Sequence, residues 1–183
     1  PLNDNIAWLN DIERDDRYKT WIQDLFIAAR MQRTKPWKSI KRNMVTCLVF
    51  LDVERPDYAV VLKNLQVMVQ TMIPIRFGII PLLQKDSEII SFYETFADLR
   101  SVEAAIKSLS KPSLDEKTAH SIVSSYKSLV KQFDLTGLKG GHIALVNGRP
   151  LTINPNDMIE FKQSLFQVYS EDIDWLFNQI ESK

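Results

Sequence analysis

The chain has 183 residues, 45% of them hydrophobic, which is enough for one well-cored domain. Its 23 basic and 23 acidic residues cancel, arguing against a general nucleic-acid or membrane-surface binder. No apolar run approaches the roughly 20 residues needed to span a bilayer.

Cys47 is the only cysteine, so no internal disulfide, CxxC pair or four-cysteine zinc site can form. The chain opens on Pro1 instead of Met, and we expect a piece of a longer protein. That no leader is visible in it is therefore silent on compartment.

An acidic start, NDIERDDRY, leads into a helical segment around Trp21 to Met31. The run RMQRTKPWKSIKR then places six basic residues between Arg30 and Arg42, broken by Pro36. It reads either as an anion-binding patch or as a solvated helix end complementing the acidic segment before it. The neutral composition favours the second.

MVTCLVFLDV, Met44 to Val53, is β-branched and apolar on both faces, as a buried parallel strand should be. Cys47 lies inside it and is expected to be buried and inert. Pro56 and Asp57 open a helix whose Tyr58, Val61, Leu62, Leu65, Met68, Val69 and Met72 form one stripe. IPIRFGIIPLL, Ile73 to Leu83, reads as a second strand, completing a right-handed βαβ unit.

Ser87 to Phe133 is helical in pattern. Pro112 splits it, and Ser113 with Glu116 forms a capping box for the next helix. GGHIALVNGRPLTI is a β-hairpin turning at Asn147-Gly148, and a long helix runs from Asn156 to the end. A βαβ unit followed by helix and then a ββα unit is the thioredoxin plan. The expected fold is thus α/β and thioredoxin-like. One domain covers residues 1–183, with a helical insertion, residues 87–134, between its βαβ and ββα halves. A Rossmann-type sheet would need further strand-helix repeats, which a hairpin does not supply.

Ligands in such folds gather where strands end, and here the first strand ends in DVERPDY. Dinucleotide binding needs glycines at this turn; none is present, and Asp52, Glu54 and Asp57 stand where phosphate would go. Thioredoxin chemistry needs thiols at the helix start, and Val53 to Tyr58 holds no sulfur. The proline that precedes the hairpin strand in a thioredoxin is also missing, with Gly140 or Gly141 near that place. His120 and His142 have no partner at ligand spacing, so no metal site is expected. Asp172-Ile173-Asp174 matches the D-x-D of sugar-nucleotide enzymes, but two carboxylates two apart on a helix point away from each other. No catalytic residue is assigned to this chain.

Four blocks resemble consecutive segments of the UDP-glucose:glycoprotein glucosyltransferases: WLNDIERDDRYKTW, IKRNMVTCLVFLDV, IPIRFGIIPL and ALVNGRPL. The family continues the first with Trp-Pro-Ser-Ser-Leu, whereas this chain has Trp21-Ile22-Gln23-Asp24-Leu25. The resemblance implies a tandem thioredoxin-like domain, the third, of the N-terminal folding-sensor region. It also implies a parent enzyme, a hexosyltransferase of the endoplasmic reticulum lumen, that reglucosylates N-glycans of misfolded glycoproteins. UDP-glucose and a divalent metal would bind in a separate domain of that parent, with no cofactor here. The implied partners are misfolded glycoprotein clients and neighbouring domains of the same chain, with no nucleic acid and no membrane.

A folding sensor needs apolar surface that accepts many sequences. On the last helix Phe161, Leu165, Phe166, Val168, Tyr169, Ile173, Trp175, Leu176, Phe177 and Ile180 span more than the roughly 100° that simple docking requires. Phe166, Trp175 and Phe177 on the flanks are the candidate client surface, either binding clients or forming part of a loosely held cover over an apolar patch. The competing reading packs the helix into a deep groove or against a neighbouring domain of the full protein. The alternative for the whole domain is a structural spacer that shapes an interdomain cavity.

Overall fold

A computed structural model describes residues 6–82 and 141–182. The expected insertion at 87–134, with Ser113, Glu116 and His120, lies outside the described residues. Five strands form one sheet in the order β1-β3-β2-β4-β5: β1 Ala7–Trp8, β2 Thr46–Asp52, β3 Arg76–Leu82, β4 His142–Val146 and β5 Arg149–Ile153. Strands β2 and β3 are parallel, in register from Thr46 with Arg76 to Asp52 with Leu82. Every other pairing is antiparallel. Among the described residues the α-helices are α1 Leu25–Met31, α2 Tyr58–Gln70 and α3 Met158–Glu181.

The β2-α2-β3 unit forms because its strands are apolar on both faces. Cys47, Val49, Phe50 and Leu51 are buried in β2, and Phe77 to Pro81 in β3. Helix α2 lays Tyr58, Val61, Leu62, Leu65, Met68 and Val69 onto the core as one stripe. The hairpin follows from Asn147 and Gly148, both at positive φ (47° and 85°), which a two-residue turn matching strand twist requires.

The short strand β1 was not anticipated from the sequence. It pairs with the outer edge of β3, where Gly78 makes room for it: a Cβ there would lie 2.6 Å from Ile6 and 2.9 Å from the Trp8 ring. Two residues give no periodicity to read. Asn10 fixes the segment that follows. Its Nδ2 donates to Tyr18 Oη and Ile75 O (2.9 Å each), and its Oδ1 accepts from Phe77 N (2.8 Å). Tyr18 in turn meets Trp21 edge-on. The polar residues of the NDIERDDRY stretch thus tie the N-terminal arm to β3.

Helix α3 is capped by Asp157, whose carboxylate accepts from Glu160 N (3.0 Å). It buries Phe161, Leu165, Val168, Tyr169, Ile173 and Phe177. Tyr169 Oη accepts from Lys38 N (2.9 Å) inside the fold. The hairpin clamps its middle: Arg149 reaches Glu171 (3.0 Å) and Asp172, and Asn147 Nδ2 donates to Asp172 (2.8 Å). A loosely held cover is not what this packing describes; α3 carries core.

Candidate functional site

The end of β2 is where a thioredoxin keeps its thiols, and here it holds a polar cluster. Asp57 precedes α2 but does not cap it with its side chain. Its carboxylate turns to Arg55 (Oδ2 to Nη2, 2.7 Å) and to His142 Nε2 (2.9 Å). His142 begins β4, is buried, and accepts from Asp52 N through Nδ1 (3.2 Å). Since Nδ1 accepts, the network assigns the proton to Nε2, which donates to Asp57. Both ring nitrogens are therefore committed, and neither has a lone pair left for a metal. Among the described residues no group of three histidine, cysteine or acidic side chains converges as a ligand set.

Arg55 holds the Asp57 carboxyl well below its ordinary value of 3.8, at about 2; burial opposes the shift and His142 reinforces it. Gly141, at φ +76°, enters β4 beside Arg55, whose Nη1 would lie 3.2 Å from a Cβ at that position. Sequence reasoning placed a glycine here correctly but missed the histidine. The register pairing Phe50 with Ile143 carries His142 to the strand end, and no residue spacing encodes that register.

Cys47 sits near the start of β2, fully buried, and burial pushes its thiol far above the ordinary range. The acidic residues of the D-x-D match diverge: Asp172 faces the hairpin clamp, whereas Asp174 pairs with Ser170 (3.4 Å) beside an opening lined by Arg33 and Phe177.

The three candidate client residues separate. Trp175 is 64% exposed. Phe166 is half-buried, edge-on to Trp37 with centroids 4.8 Å apart. Phe177 is only 5% exposed and belongs to the core, which corrects its assignment as surplus surface. The wheel counted it outside the buried stripe because α3 packs against α1 as well as β5, a wider arc than one contact needs.

Phe166 instead joins a feature that the sequence did not reveal. An open groove of about 440 Å³ runs between α2 and α3, with Trp37 completing it. Val67 and Met68 line one wall, Met158, Ile159 and Phe166 the other, with Asn64, Thr71, Lys162 and Gln163 supplying polar groups. Val67 and Ile159 are exposed large apolar side chains.

Residues 2–111, more than half of the chain, match the family model described as a thioredoxin-like domain. The chain belongs to that family. Two solved structures are similar to this thioredoxin-like domain. One is a periplasmic thioredoxin-like protein from Salmonella enterica serovar Typhimurium, 14% identical, with a TM-score of 0.44, covering 80% of this chain and 98% of that one. The other is the Trx3 domain of UGGT in a detergent-unbound form, 16% identical, with a TM-score of 0.37, covering 64% and 88%. No curated protein matches the domain.

Proposed function

We propose that this chain is a redox-inactive thioredoxin-like domain of a UDP-glucose:glycoprotein glucosyltransferase of the endoplasmic reticulum lumen. In this reading it is not itself an enzyme, and it helps recognise misfolded glycoprotein clients through apolar surface. The glucosyltransferase assignment rests on the four sequence blocks. The binding role rests on one observation above the others, the groove between α2 and α3.

That groove suits a folding sensor. Its walls mix two methionines with Val67, Ile159 and the Trp37-Phe166 pair. Methionine side chains repack around differently shaped guests, which lets one surface accept many sequences. The strand end supports the redox half of the reading. Its polar groups are satisfied by one another, and the single thiol is buried away from it.

Nile red fluorescence tests the binding role against the spacer alternative. The domain is expected to enhance the dye, and the exchange of Val67 and Ile159 for Glu is expected to abolish the effect. Both side chains are exposed, so the double variant should fold. A domain that leaves the dye dark supports the spacer. In the same preparation, insulin reduction or rapid native labelling of Cys47 would overturn redox inactivity.

A further inference from the structure

Helix α1 is turned inside out. Its small residues Ala28 and Ala29 face the core, while Phe26, Ile27 and Met31 face solvent, with Phe26 at 61% and Met31 at 69% exposure. Arg30 and Met31 lie three and four residues beyond Phe26 and Ile27, so the two pairs share one face. Three exposed large side chains together make a patch of a few hundred Å², comparable to the largest apolar patch on a typical monomer, which is often functional.

Cations stand at both ends of this ridge. Arg30, Arg33 and Lys35, all exposed, lie at and beyond its C-terminal end. At the other end, Ile22 pairs with Ile40: Ile22 N donates to Ser39 O (3.1 Å) and Lys41 N to Ile22 O (2.8 Å). That bridge brings Lys41 and the exposed Arg42 beside the entry to α1. No acidic residue occurs from Leu25 through Leu51, and Asp24, just before the helix, uses its carboxylate to cap α1 at Ile27 N (3.0 Å).

The expectation that this run complements the acidic start is not met. Among the described residues Arg33 pairs with Glu181 (3.1 Å), and Lys38 is buried with its ammonium on the carbonyls of Arg33 and Lys35. Arg30, Lys35, Lys41 and Arg42 make no ion pair among the described residues, and Asp11 and Asp15 pair with Arg76 and Arg17 instead.

We infer that the outer face of α1 is a docking surface for an acidic, apolar-bearing peptide segment of a partner protein. Apolar side chains of that segment cover Phe26, Ile27 and Met31, and its carboxylates meet the cations at the two ends. A purely apolar guest would leave Arg30, Lys35, Lys41 and Arg42 unmatched, and a basic one would be repelled. The surface is separate from the α2-α3 groove, so either can fail without the other.

Calorimetric titration of the whole chain with a short amphipathic peptide of Leu and Glu tests this. Binding is expected, weakened about tenfold or more by Phe26→Ser with Met31→Ser, by Arg30→Glu with Lys35→Glu, and by raising salt to about 1 M, where screening extends over only ~3 Å. The same losses from the α1 variants are expected in the Val67→Glu, Ile159→Glu background, where the α2-α3 groove no longer takes apolar guests. Equal binding of the peptide with Lys in place of Glu would overturn the inference, as would indifference to the α1 variants. Binding to phosphatidylserine vesicles without binding to the peptide would also overturn it, in favour of a lipid surface.

Discussion

Truncation before Asn156 is expected to unfold the domain. Helix α3 contributes six buried side chains, Phe161, Leu165, Val168, Tyr169, Ile173 and Phe177. Removing buried side chains of this size costs about 2–5 kcal/mol each, and the sum exceeds the roughly 5–15 kcal/mol by which a domain is stable. The clamp from Arg149 and Asn147 to Asp172 would be lost as well. Circular dichroism of the truncated chain should show no cooperative melt. In the intact chain, amides along the buried stretch of α3 should exchange as slowly as those of β2 and β3. A folded truncation, or α3 amides exchanging far faster than the sheet, would restore the picture of a cover.

His142→Ala is the second large effect. The imidazole is buried, and its loss leaves Asp52 N–H without an acceptor at about 1–3 kcal/mol, with a cavity cost in addition. A loss of about 3 kcal/mol in a chain of this size corresponds to roughly 6–12 °C in Tm. His142→Phe fills the space but accepts no hydrogen bond, so it should recover only the cavity part. The neighbouring Asp57 gives a pH signature. Its folded pKa of about 2 lies below the ordinary 3.8, so its stabilisation is present above pH 3.8 and fades as pH falls through about 2. Asp57→Asn should flatten the acid limb of the stability profile in that window. A variant chain that loses stability there as steeply as the parent would contradict the assignment.

The fold was legible because its signals are local. The doubly apolar β2, the stripe on α2, the Asn147-Gly148 turn and the length of α3 each constrain a few neighbouring residues, and together they allow one arrangement. What escaped depends on distant residues meeting. His142 reaches Asp57 only through the register of β4 on β2. The groove needs Trp37, α2 and α3 to converge across more than a hundred residues of chain. Phe177 was misplaced for the same reason, since its burial depends on a neighbouring helix that a wheel does not contain. The inverted face of α1 was within reach of the sequence, in the alternation of Phe26-Ile27 with Ala28-Ala29. Apolar residues on both sides of a short helix do not say which side is buried.

A thioredoxin-like scaffold that binds apolar segments instead of exchanging disulfides should hold an unfolded chain that has no reactive thiol. The most direct measurement uses an unfolded client unable to do thiol chemistry, reduced and S-carboxymethylated α-lactalbumin, titrated into the domain with its methionine methyl groups observed by NMR. Saturable shifts are expected at Met68 and Met158 in the groove, absent from the Val67→Glu, Ile159→Glu variant and absent when the client is native. Unshifted groove methyls at saturating client, or equal shifts with the native protein, would contradict it.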